Sequence, residues 1–326
     1  IPVNTTTFEN DTLKLEAPNL GITYSGNLAD GTFNGTFSQG GFKIPLILGR
    51  DEIEKPELNR PQEPKEPFPY SSKDVSFENK TANLTLAGTL TLPKKEGKFP
   101  AVVLISGSGP QDRNEALFGH KPFYVLSDHL TRQGIAVFRY DDRGTAASKG
   151  DFESATSMDF AKDAMAAMDM LQDHKKIDGK QVYFIGHSEG GFIAPMVASK
   201  DRSIAFIILL AGTGVDGAAV LQSQTRRSLE LAGMAETYID LNEKLVRKLH
   251  DIVKEEKPQD ILKDEIVTYL ENYRKNNKNV VSLTLTDDAI RQYSQLSNNW
   301  MFYFIRTNPN LFLSQVSCPV LAINGS

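Results

Sequence analysis

A chain of 326 residues, 40% hydrophobic and 24% charged, can build one large or two ordinary domains around a packed core and is too apolar for wholesale disorder. Its formal net charge of −5 is spread without blocks, which argues against a nucleic-acid surface, since that needs a basic face opposite phosphate. No apolar run approaches the roughly 20 residues that span a bilayer. The single cysteine, Cys318, excludes an internal disulfide and a thiolate cluster, and the five histidines lack ligand-like spacing, so neither metal nor cofactor is expected. The start at Ile1, without an initiator methionine, suggests a chain that is processed, tag-cleaved or cut from something longer; a periplasmic or secreted protein is expected, with a cytoplasmic one as the alternative.

In chain order, residues 1–50 read as four short strands between glycine-rich turns, "TLKLEA", "LGITYSG", "GTFNGTFSQGG" and "FKIPLILG", part of a small accessory β module. Residues 51–69 hold a proline- and glutamate-rich stretch that favours extended backbone and reads as a linker. From residue 70 the texture changes. "DVSFEN" and "LTLAGTLTLP" suggest an antiparallel pair, and then solidly apolar runs alternate with helical patterns: "AVVLIS", a helix over 122–133, "IAVFRY", a helix over 157–173, "VYFIGH", a helix from about 190, and "IAFIILL". In 157–173, Ala161, Ala164, Met165, Met168 and Leu171 share one face. Apolar strands alternating with helices predict an α/β domain with a mostly parallel sheet covered on both sides. About a hundred mostly helical residues, 213–315, then precede "PVLAIN", as an inserted cap would; Leu241, Leu245, Leu249, Ile252 and Val253 make one of its stripes.

The chemistry centres on Gly186-His187-Ser188-Glu189-Gly190, a G-x-S-x-G pattern. Its context is what the motif requires: a strand before, "QVYFI", and a helical run after, "GGFIAPMVAS". Ser188 is then a nucleophile lifted out of the sheet, with the Glu189 N–H at a helix start as one oxyanion donor. A serine-glycine turn without reactivity is the plain alternative. A second donor belongs in "LISGSGPQDRN"; Pro110 has no N–H, which leaves Ser108 or Gly109.

"SGSGPQDRN", "RYDDRG" and "GHSEGG", each at a strand end, together resemble bacterial α/β-hydrolases of the dienelactone-hydrolase and prolyl-oligopeptidase-like group, serine esterases and acyl hydrolases with an N-terminal accessory β domain. The resemblance covers residues 70–326. It implies the α/β-hydrolase fold and a Ser–His–Asp triad with Ser188 as nucleophile, and gives Asp141, Asp142 and Arg143 the role of bracing loops.

The order Ser, acid, His of this fold leaves only His250 after Ser188. His250 lies one step off the apolar stripe of a charged helix and reads as solvated. His187, next to the serine on a strand, should point to the opposite face. The triad Asp and His are therefore expected beyond Ser326, the hydrolase domain being cut short at its C-terminus. The leading expectation is hydrolysis of small-molecule carboxylic esters. The alternatives are a peptidase on short peptides, with Arg226 and Arg227 holding a terminal carboxylate, and a non-catalytic hydrolase-like binding protein. Trp300, Phe302, Tyr303 and Phe304 read as the wall of an acyl pocket or as the packing of the cap itself.

Overall fold

The computed structural model describes residues 3, 5–17, 22–39, 42–50, 59–277, 285, 287, 290, 293 and 298–325. Its contacts divide the chain into two units, Ile1–Glu57 with Glu255–Ser297, and Leu58–Lys254 with Asn298–Ser326. Within the expected linker, residues 51–58 lie outside the described residues, as do most of residues 278–297 of the expected helical segment 213–315.

The first unit carries an antiparallel meander of five strands, β1 (Thr5–Glu9), β2 (Thr12–Ala17), β3 (Ile22–Ala29), β4 (Thr32–Gln39) and β5 (Phe42–Leu48). Asn10 and Asp11 both have positive φ, 47° and 58°, and join the pair Glu9 and Thr12; Asp30 and Gly31, at 50° and 80°, join Ala29 and Thr32. Two-residue loops of this hand match the twist of the strands they connect. β1 is the strand that the four-strand expectation lacks. All five of its residues are exposed, so no inward and outward alternation marks it. The same unit holds helix α6 (Gln259–Asn276), with Leu262, Ile266 and Leu270 buried at helical spacing.

The second unit is built on a seven-stranded sheet. A hairpin of β6 (Tyr70–Asn79) and β7 (Leu84–Pro93) forms one edge, and β7 runs antiparallel to β9 (Ala136–Tyr140). From β9 onward the strands are parallel: β8 (Phe99–Ile105), β10 (Ile177–His187), β11 (Ile207–Leu210) and β12 (Val320–Ile323), in the spatial order β12-β11-β10-β8-β9-β7-β6.

The period of two in β8 sorts its side chains between two layers. Val102 and Leu104 pack with Val137 and Ile185 against Phe123 of helix α1 (Pro122–Arg132). Ala101, Val103 and Ile105 join the opposite core with α2 (Ser157–Gln172) and α3 (Glu189–Ala198). Of the expected face of α2, Ala161, Ala164, Met168 and Leu171 are buried and Met165 is half-buried.

The chain leaves β8 through α1 to β9 on one side and returns through α2 to β10 on the other. The crevice outside the carboxyl ends of β8 and β10 is thus the topological switch point, where open α/β sheets place their ligands.

Between β11 and β12 this unit adds α4 (Gly217–Leu231), α5 (Glu236–Lys254), α7 (Asn299–Arg306) and α8 (Asn310–Leu313). The aromatic run on α7 packs inward. Trp300 stacks on Phe304 with centroids 5.1 Å apart, and Phe304 meets Phe192 of α3 edge-on at 5.4 Å. His250, expected to be solvated, is buried instead, and its Nδ1 has no partner among the described residues. α5 packs against both α4 and α7, so its buried face is wider than its leucine stripe. Burial lowers the pKa of the imidazole, with Lys254 adding to the effect.

Candidate active site

Ser188 occupies the step from β10 to α3, half-buried, with φ 50° and ψ −112°. A non-glycine residue in this region carries strain of about 1–3 kcal/mol, which the surroundings must over-determine. They do so from both sides. The Ser188 N–H donates to Leu210 O at 2.9 Å, and the Gly191 N–H donates to Ser188 O at 2.9 Å. A Cβ on Gly186 would lie 2.0 Å from Gly190 O, and one on Gly190 would lie 2.1 Å from Ile105 O. Only glycine lets α3 start this close to the sheet, and that closeness leaves Ser188 at the mouth of the switch point. Glu189 opens the helix, so its N–H has no intrahelical acceptor and adds to the positive end of the helix dipole.

The loop after β8 faces this turn. A Cβ on Gly107 would sit 3.3 Å from the Ser188 Cβ, so Gly107 packs against the serine. Ser108 and Gly109 follow it, Ser108 exposed and Gly109 at φ 93°. Among the described residues neither of their amides has a protein acceptor.

Three side chains of "YDDRG" brace the surroundings. Asp142 accepts from Ser106 Oγ at 2.8 Å and from the Gln111 N–H at 3.0 Å, one at each end of the loop. Asp141 accepts from the Arg113 N–H at 2.8 Å and from its guanidinium at 3.0 and 2.6 Å. Arg143 donates to Asp163 of α2 at 2.7 and 2.8 Å. Burial pushes the Asp142 carboxyl up to about 8, against the pull of its two hydrogen bonds and with a further push from Glu189 and Asp163. Burial would raise Asp141 too, but Arg113 outweighs it and holds that carboxyl below the usual range.

Two contacts at the site have no sequence signal. The buried Glu115 has φ 52°, and its Oε1 lies 2.7 Å from the Gly107 N and 2.7 Å from His187 Nδ1. The hydrogen bond to Glu115 raises the pKa of His187 against the effect of burial. His187 therefore does not point away from the serine's surroundings as strand alternation predicts. The positive φ at Ser188 ends the alternation there, and Gly107 packs near both residues: its Cβ would be 3.4 Å from His187 Nδ1. The second contact is the Glu189 carboxyl. Its Oε1 accepts from Ser157 Oγ at 2.6 Å and Trp300 Nε1 at 2.7 Å, and burial raises its pKa.

Among the described residues no histidine is hydrogen-bonded to Ser188 Oγ. Arg226 is not open to a substrate carboxylate, because it is paired with Glu230, Glu236 and Glu243. Arg227 is exposed and pairs with Glu230 at 3.3 Å. No cluster of His, Cys, Asp and Glu among the described residues is arranged to hold a metal ion, and no helix among them is long and apolar enough to cross a membrane.

A mostly parallel sheet flanked by helices, with a strained serine at the turn after its central strand, defines the α/β-hydrolase class. The chain belongs to the hydrolase family described as serine aminopeptidase, S33, whose profile matches residues 122–293. It is similar to esterase EstD of Thermotoga maritima, with 35% identity over 177 residues, 53% of this chain and 42% of that esterase. The chain thus spans less than half the length of that relative. Among solved structures, an esterase of Pyrococcus furiosus aligns with a TM-score of 0.47 and 16% identity over 78% of this chain and 70% of its own. A hypothetical protein of Pseudomonas aeruginosa gives 0.47 and 16% over 79% and 78%.

Proposed function

We propose that the protein is a serine hydrolase that cleaves small carboxylic esters with short acyl groups. The observation that carries the proposal is the backbone of Ser188, held at φ 50° between two glycines at the start of α3. In this reading Ser188 Oγ attacks the ester carbonyl carbon and gives its proton to a histidine base. The Glu189 N–H, with the Ser108 or Gly109 N–H, holds the oxyanion that forms. Collapse expels the alcohol, which takes the proton back, and water then releases the acyl group from Ser188. Among the described residues His187 is engaged with Glu115 and no histidine is hydrogen-bonded to Ser188 Oγ, so none of them is given the role of the base. The esterase relative supports the substrate class.

The family description favours a second reading, a peptidase acting on short peptides with the same nucleophile. Arg226 gives it no help, being already neutralised by its acidic neighbours. The two readings separate in one assay on the full-length protein, a short-chain acyl ester beside its isosteric anilide. We expect turnover of the ester, loss of at least about a thousandfold in kcat in Ser188→Ala, and little cleavage of the anilide. Comparable kcat/KM on both substrates would establish the peptidase. Undiminished turnover in Ser188→Ala would remove the nucleophile from the proposal, and no turnover of either substrate would favour a binding protein.

A further inference from the structure

We infer that Glu115 and His187 form a positioning pair that sets the oxyanion loop against the nucleophile; the inference rests on Ser188 being that nucleophile. One carboxylate oxygen, Glu115 Oε1, receives both the Gly107 N–H and His187 Nδ1, each at 2.7 Å. With Glu115 Oε1 as the shared acceptor, the pairing has His187 donating from Nδ1. Glu115 is 6% exposed and uses one oxygen for both partners, while His187 is half-exposed. The pair joins two stretches of the loop after β8, around Gly107 and around Glu115, to the last residue of β10.

Its geometry bears on the reaction through the direction of one peptide. Gly107 packs on Ser188, yet its N–H is turned into Glu115 and so is withdrawn from the site. That anchors the peptide before Gly107, and with Gly107 also packed on Ser188 it limits where the two amides that follow, Ser108 and Gly109, can lie; neither has an acceptor among the described residues. Glycine at 107 would otherwise turn freely about its own bonds. His187 holds the same oxygen from the strand side, so the carboxylate cannot follow the loop if it drifts. Neither side chain touches the reacting atoms in this account. Both act through the backbone donors of residues 108 and 109.

The loss of one oxyanion donor lowers kcat by about a hundred- to a thousandfold, and misplacement of donors costs part of that. For Glu115→Ala and His187→Ala we expect kcat on a short-chain ester to fall about ten- to a hundredfold, with KM changed by less than about threefold, since ground-state binding is untouched. The double variant should be no worse than Glu115→Ala alone, because the two residues act as a unit. His187→Asn puts an amide N–H where Nδ1–H stood and should recover most of the loss seen in His187→Ala. Glu115→Gln keeps an acceptor oxygen and should likewise recover much of the loss in Glu115→Ala.

A fluorophosphonate probe, with the labelled residue located by mass spectrometry, separates this inference from the one beneath it. If wild-type protein is labelled at Ser188 and turns over ester, wild-type kcat in His187→Ala overturns the positioning role. So does a loss in His187→Ala that His187→Asn fails to recover. If Glu115→Ala does not fold, the two His187 variants decide the matter, because a half-exposed side chain can be truncated without emptying the core. If wild-type protein is neither labelled nor active, the hydrolase reading falls and this one with it.

Discussion

A methyl group at Gly190 would meet the carbonyl oxygen of Ile105 at 2.1 Å, with backbone on both sides and no flexible atom to give way. Gly190→Ala should therefore force α3 off the sheet, lowering stability by about 3 kcal/mol, the upper end of overpacking costs; urea denaturation checks it. The same steric fact made Ser188 legible in the sequence, since a motif with small residues on both sides of one hydroxyl states its own geometry. Glu115 gave no such sign. It is one of two acids in a polar loop, and its contact with His187 depends on a positive φ and a strand far along the chain. Asp142 was legible as a brace but not as an unusual acid. Folding raises its carboxyl from an ordinary value near ~4 to about 8, so the native state keeps a proton that the unfolded chain releases. Its contribution is fully present at low pH and is lost as pH rises through that interval, at up to about 1.4 kcal/mol per pH unit. Asp142→Asn imitates the neutral acid. The gap between its urea midpoint and that of the wild type should shift in the variant's favour between roughly pH 5 and pH 8, and an unchanged gap would refute the raised pKa.

Among the elements, the strands and helices of the second unit follow the alternation of apolar runs and helical faces closely, because burial on both sides of a parallel sheet demands it. Where that demand is absent the reading weakens. β1 is exposed along its length and has only the two-residue turn at Asn10 and Asp11 to mark it. α5 shows the converse, a helix whose charged sequence conceals a second packed side and a buried His250. The link between β9 and α2 offers a test at this scale. Arg143 donates twice to Asp163, which is 1% exposed and also accepts from Asn79 Nδ2 at 2.6 Å. Arg143→Ala leaves that carboxyl buried with one neutral donor. We expect a loss of about 3–5 kcal/mol, with Arg143→Ala/Asp163→Asn less damaging than Arg143→Ala alone. Equal stability in the single variant and the wild type would show that the pair adds nothing.

For the molecule as a whole, the sheet order makes the candidate site a product of two distant stretches of chain. Gly107 and Ser188 meet because β8 and β10 are neighbours in space, although α1, β9 and α2 intervene in sequence. This juxtaposition has a consequence in time. Parallel pairing of remote strands must close a long loop before any contact rewards it, so such pairs are slow to form. The hairpins of the first unit need no such closure. During refolding, sheet signal should therefore appear well ahead of the reactivity proposed for Ser188, because the candidate site exists only once the centre of the sheet has closed.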